Sequence, residues 1–270
     1  MTVKIKSNEV FVECLQEGAM LHSLVKNGRE YLWQGNKSFW AGQAPVCFPI
    51  AGVLRDGRAV AFGKECSMKR HGIARINPFK IESVGANYVA FVQNSSEKTK
   101  AEFPFDYRLE IKYTVVKSTV TTQYTVYNTG KEKLPFVIGG HPAFNCPVDK
   151  NEAFEDYSVT FDKPINGECL RPDIHSGLID ISNRFKVFDG IESKSALLIG
   201  KNKRGVRLDY QDFDNLLVWS SANGGPFVAL EPWTGISTCS DEDSVFERKR
   251  GMTVLEAGEQ ASFKFKITLI

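Results

Sequence analysis

The dominant period of this chain is two. Tyr107, Leu109, Ile111, Tyr113 and Val115 alternate with Arg108, Glu110, Lys112 and Thr114, the pattern of a strand with one buried face and one wet face. Thr121–Tyr127 repeats that form and stops at Asn128-Thr129-Gly130, a turn signal. Near the far end Phe263, Phe265, Ile267 and Leu269 share one face, with Lys264, Lys266 and Thr268 on the other. On a helix the same residues would be smeared around the axis, with no single apolar stripe to bury. Only one short stretch reads as helical: Ser240 as a cap, Asp241, Glu242 and Asp243 in the first turn, Lys249-Arg250 at the end and Gly251 beyond. No Pro/Ser linker, composition shift or internal repeat divides the sequence. The expectation is therefore one all-β domain over residues 1–270, built of stacked antiparallel sheets.

Composition removes several functions. With 34 basic against 32 acidic side chains the net charge is +2, which gives no electrostatic case for nucleic acid or an anionic membrane as partner. No apolar run approaches the ~18 residues of a spanning helix. The opening Met1-Thr2-Val3-Lys4-Ile5-Lys6 alternates rather than forming the apolar block of an export signal. Six cysteines, Cys14, Cys47, Cys66, Cys146, Cys169 and Cys239, lie scattered without a C-x-x-C pair. They read as free thiols of a reducing, cytoplasmic compartment.

Chemistry concentrates at few positions. Of four histidines, His141 sits in Gly139-Gly140-His141-Pro142, where paired glycines allow close backbone approach and Pro142 ends the strand. His71 lies at a turn in Lys69-Arg70-His71-Gly72. Taken singly, each is equally a hydrogen-bonded structural histidine, and His22 and His175 have unremarkable surroundings. Glu231 stands out more. It ends the apolar run Pro226-Phe227-Val228-Ala229-Leu230, which reads as a buried strand, and Pro232-Trp233-Thr234-Gly235 follows. A carboxylate there must be paired, hydrogen-bonded or raised in pKa. A raised value suits a general base, whereas hydrogen bonding to a turn backbone would make the residue structural. Trp233 offers an apolar face of the kind that packs on a sugar ring. No H-E-x-x-H, G-x-S-x-G, P-loop or dinucleotide fingerprint is present, and no second acid stands out to make a glycosidase pair with Glu231.

In these segments the chain resembles the aldose 1-epimerase (mutarotase) family, and within it the LacX-like branch. The matching stretches are Pro45–Gly52, His71-Gly72-Ile73-Ala74-Arg75, Gly140-His141-Pro142-Ala143-Phe144-Asn145, Leu217-Val218-Trp219-Ser220 and Glu231-Pro232-Trp233-Thr234-Gly235, in family order. The resemblance implies a β-supersandwich with an open carbohydrate cleft and a small sugar as partner. It implies Glu231 as general base, His141 as general acid and His71 as a sugar hydrogen-bonder, without metal or cofactor. Two positions depart from the family pattern. Val53 stands where the family commonly has an arginine. Arg55, two residues on and on the same face if the strand continues, is the expected replacement; a solvated loop arginine is the other reading. The family's substrate-binding aspartate has no clear match, and Asp180, Asp189, Asp209, Asp212 and Asp214 all compete. The expected activity is interconversion of aldose anomers. An epimerase for a phosphorylated hexose, with Lys69, Arg70 and Arg75 on the phosphate, and a non-catalytic sugar-binding protein are the alternatives.

Overall fold

A computed structural model describes residues 1–163 and 191–270, and between them the backbone of the strands Pro172–Asp173, Leu178–Ile179 and Phe185–Phe188. The period-two segments are strands. Tyr107–Val116 and Thr119–Asn128 form an antiparallel hairpin, and Gln260–Leu269 pairs with the second of them. Along Tyr107–Val115 every odd residue is buried, as the alternation requires. These strands form the middle of an eight-stranded sheet. Ser158–Phe161, Ser195–Ile199 and Gly205–Asp209 extend it on one side, with Tyr88–Asn94 and Lys80–Val84 on the other.

A six-stranded sheet packs against it, running in the order Phe185–Phe188, Asn215–Trp219, Phe227–Trp233, Gly139–Gly140 and Val46–Cys47, with Ala143–Asn145 also paired to Phe227–Trp233. A four-stranded sheet formed by Thr2–Lys6, Val10–Leu15, Met20–Lys26 and Arg29–Glu30 joins the same core. The fold is the all-β supersandwich of stacked antiparallel sheets expected from the sequence. No helix among the described residues is long and apolar enough to cross a membrane.

Phe227–Trp233 differs from the hairpin strands because both of its faces are buried. Val228 and Leu230 point into the main core, as do Leu216 and Val218 of the neighbouring strand. The odd positions point the other way, where Phe227 and Ala229 pack with Trp33 and Ala143, and Trp233 packs with Cys47, Val137 and Leu217. Glu231 is an odd position, opposite Leu217 in the ladder. It does not end its strand as the sequence suggested: the strand continues through Pro232 and Trp233.

Two other local expectations change. The stretch after Ser240 is not an α-helix, and only Phe246–Arg248 makes a 3₁₀ turn. Its acids are drawn away from a helical first turn. Glu242 accepts from the Cys239 and Arg250 amides and from Lys249 Nζ, and Asp243 accepts from the Val245 amide. The one described α-helix is Glu97–Lys100, where Ser96 and Thr99 form a reciprocal capping box.

The paired glycines fix how the sheet meets its neighbours. A Cβ on Gly139 would lie 2.3 Å from Trp233 Cδ1 and 2.8 Å from the Pro232 carbonyl oxygen. One on Gly140 would lie 2.8 Å from the Phe265 ring of the opposite sheet. Gly139→Ala should therefore destabilise the protein by about 1–3 kcal/mol, the usual penalty for overpacking, measured as a lower urea midpoint at unchanged slope.

Candidate active site

The odd-numbered face of Phe227–Trp233 is the floor of a cleft of about 540 Å³, within the range of small-molecule sites. Trp40, Arg70, His71, Arg75, His141, Trp219, Glu231, Trp233 and the run Ile236–Cys239 are among its lining residues. Glu231 is 1% exposed and His141 7% exposed. Gly139–Gly140 and Ala143–Asn145 pair with Phe227–Trp233 in one antiparallel register, which sets His141 alongside Glu231 with its Nε2 3.1 Å from Glu231 Oε2. Neither Glu231 oxygen, nor His141 Nδ1, has a hydrogen-bond partner among the described residues. Buried polar atoms are nearly always paired, so such a cluster on a cleft floor makes this the candidate site. Burial drives the Glu231 carboxyl well above the usual carboxylate range. The same cause holds the His141 imidazole down to about 3, with Arg75 and Arg70 adding to the effect.

His71 reaches the cleft through strained backbone, with φ of 65°. Its amide donates to the Gly52 carbonyl, and the Gly52 amide donates to His71 Nδ1 at 3.1 Å. A backbone N–H can only donate, so Nδ1 is the acceptor and the neutral ring carries its proton on Nε2. Cys47 Sγ also lies 3.3 Å from Nδ1. Burial, with the nearby His141, Arg75 and Arg70, lowers the His71 pKa to about 2, so the ring stays neutral and presents an N–H donor. Trp233 is buried, with its indole N–H donating to the Gly140 carbonyl and its ring edge-on to His71.

Of the residues singled out in the sequence, His71, His141, Glu231 and Trp233 meet in this cleft. Arg55 does not. The chain forms a turn at Arg55–Gly57 in place of the continued strand, and the exposed Arg55 guanidinium donates to the Cys239 and Ser240 carbonyls behind the cleft wall. Nor do the described aspartates reach it. Asp209 pairs with Arg207, Asp214 with Lys194, and Asp212 accepts from the Lys264 amide. Asp180, Asp189, His175 and Cys169 lie outside the described residues. His22 is bonded to Gln43. Among the described residues no group of three His, Cys, Asp or Glu side chains is arranged to hold a metal ion.

Sequence reasoning missed Trp40 and the wall Ile236–Cys239. The wall follows directly on the Glu231 strand. The Thr238 amide donates to the Val53 carbonyl, and Ser237 Oγ accepts from the Val53 amide. Trp40 comes from the irregular segment after Arg29–Glu30, where no periodicity points to it.

The family model for aldose 1-epimerase matches residues 1–268. The chain is 33% identical to protein LacX (plasmid) of Lactococcus lactis subsp. lactis, with 100% of each chain covered. Among solved structures it is similar to a galactose mutarotase related enzyme from Lactobacillus acidophilus, at 25% identity and TM-score 0.88, covering 100% of this chain and 97% of that one. It is also similar to a galactose mutarotase-like protein from Lactobacillus casei, at 28% identity and TM-score 0.88 over 100% of both chains.

The buried carboxyl has a measurable cost. Its folded pKa lies above the ordinary value of 4.5, so at neutral pH it favours the unfolded chain, where the group ionises freely. Glu231→Gln should raise Tm at pH 7. The gain should shrink as pH falls through 4.5, where the carboxyl is protonated in both states. An equal gain at low pH would contradict this assignment.

Proposed function

Starting from a chain that belongs to the aldose 1-epimerase family, we propose that it interconverts the α and β anomers of an aldose by acid–base ring opening and reclosure, with residues 1–270 acting as one domain. The observation that carries this reading is the unsatisfied Glu231–His141 pair on the cleft floor. A hemiacetal carbon bears two oxygens side by side, one a hydroxyl and one a ring ether. Two side chains 3.1 Å apart can each engage one of them. Glu231 removes the proton from the C1 hydroxyl while His141 gives a proton to the ring oxygen. The C1–ring oxygen bond breaks, leaving a C1 aldehyde and a free hydroxyl, with the proton now on Glu231 and His141 neutral. Rotation about C1–C2 presents the other carbonyl face. The reverse transfers close the ring and restore both side chains. His71 donates its Nε2 proton to a sugar oxygen, and Trp233 supplies apolar floor.

The burial of both groups favours the uncharged pair, with the proton on Glu231, which is the protonation state of the open-chain stage. The ionised pair needed to begin has the same proton count, so entry of a polar sugar shifts a proton within the dyad and takes none from solvent.

A second reading, that the aldose carries a phosphate, draws on Arg70 and Arg75. Both line the cleft, neither has a carboxylate partner among the described residues, and Arg75 Nε is buried without a hydrogen-bond acceptor. Lys69, expected beside them, is exposed and is not part of the lining.

Anomer exchange, followed by polarimetry or NMR over free and 6-phosphorylated aldoses, tests both readings. Glu231→Gln and His141→Asn should each lower the rate by about 10²–10⁴-fold, the range of general acid–base contributions, while the fold persists. Near-normal exchange in either folded variant removes that residue from the reaction.

Acidity gives a separate check. The one-proton dyad gains a second proton only near the His141 value of about 3 and loses its proton only above the raised Glu231 value. kcat/KM should therefore show no fall on the acid side until pH nears about 3, rather than drop through the ordinary histidine range. If the phosphate reading holds, Arg75→Gln should raise KM for a 6-phosphorylated aldose by about 10- to 150-fold, the worth of a charged hydrogen bond. KM for the free sugar should stay within about twofold.

A further inference from the structure

His141 is enclosed by rings on several sides. The Trp40 indole stacks on it, with centroids 4.7 Å apart and planes at 24°. His71 and Trp219 meet it edge-on at 5.1 and 5.8 Å. Trp40 is itself fixed in place. Its carbonyl accepts from the Asn36 amide and the Trp33 indole N–H. Its ring packs edge-on against Trp219 and at a tilt to Phe227. A Cβ on Gly42 would lie 2.4 Å from the Trp40 ring, so glycine at that position leaves the indole its seat. These contacts hold a flat π face parallel to the imidazole. They do not fill the core, since Trp40 is only half-buried and lines the cleft.

The charges around His141 give this face a purpose. Burial and the guanidinium groups of Arg70 and Arg75 oppose a positive ring, and His71 stays neutral. Glu231 and the His141 carbonyl favour a charged ring. Once Glu231 is occupied with the sugar hydroxyl, the π face of Trp40 remains as a neighbour that stabilises an imidazolium without competing for its N–H. We propose that Trp40 is a positioning residue for the acid–base pair: its indole keeps the His141 ring in register with Glu231 and favours the ring while it carries the transferable proton. The inference rests on the anomerisation reading for its kinetic consequence. The stacking and its effect on His141 stand apart from turnover.

Trp40→Leu and Trp40→Phe provide the test, with ring-proton NMR of His141, assigned by loss of its signals in His141→Asn, alongside kcat and KM for anomer exchange. In the parent protein the His141 ring protons should be shifted upfield by the overlying indole. Trp40→Leu should abolish that shift, move protonation of His141 to lower pH and lower kcat by about 3- to 30-fold, the span of a cation–π contact. KM should stay within about twofold, and Trp40→Phe should recover most of each effect. Unchanged kcat in Trp40→Leu overturns the proposal. So does a raised KM at intact kcat, which would make Trp40 a sugar-stacking residue, and so does Trp40→Phe behaving like Trp40→Leu. If no aldose turns over, the anomerisation reading fails. In that case an altered His141 titration in Trp40→Leu upholds the proposal, and an unaltered one sinks it.

Discussion

The cleft depends on one carboxyl held where water does not reach it. Phe227–Trp233 presents its even residues to the main core and its odd residues to the cleft, and the cleft is so closely walled that both faces count as interior. A glutamate at an odd position of such a strand has no solvent to fall back on. Leu217, opposite in the ladder, offers no donor, and the polar group that reaches the Glu231 oxygens is His141 Nε2, 3.1 Å from Oε2. Burying an unpaired polar group is costly, and here the neutral form of the acid reduces that cost. The stability given up in this way leaves a carboxyl that is not committed to structural hydrogen bonds.

The two histidines of the cleft are distinguished by their partners. His71 Nδ1 is occupied by the Gly52 amide, so the ring is a fixed donor. His141 has Nδ1 unpaired and Nε2 3.1 Å from Glu231 Oε2, so no backbone group fixes its tautomer. The same residue type is pinned at Nδ1 in one place and left open there in the other, and the difference arises from a single backbone N–H. A histidine's tautomer is set by the bond its second nitrogen makes, and here the strained turn at His71 is what makes that bond.

Much of this was legible in the sequence because strand alternation is local. Tyr107–Val115 and Phe263–Leu269 announce their buried faces by composition alone, and the fold class follows. Glu231 and His141 were visible because each breaks a local rule: an acid at the end of an apolar run, a histidine between paired glycines and a proline. Arg55 was misleading because two residues share a face only while a strand continues, and the chain turns there with Asp56 at φ 54°. The acids after Ser240 have the spacing of a helix start, yet Glu242 is claimed by Lys249 and by the Cys239 and Arg250 amides. Those contacts span several residues and are decided by tertiary packing. Trp40 gave no signal, since an irregular segment has no period and its partner His141 is about a hundred residues away.

The cleft wall Ile236–Cys239 leaves the Glu231 strand after only a few residues and is then tethered from outside, by Arg55 on the Cys239 and Ser240 carbonyls and by Lys249 on Thr238. The cleft floor and this wall thus lie on one continuous stretch of backbone, but they are secured by different partners: ladder pairing for the first, the Val53 carbonyl and side-chain tethers for the second. Such an arrangement lets the two parts diverge separately. The bonds made by Arg55, Thr238 and Lys249 hold the wall and play no part in the ladder that holds Glu231 opposite Leu217. Floor and wall are thus two separately anchored parts of one short stretch, about five residues of chain apart.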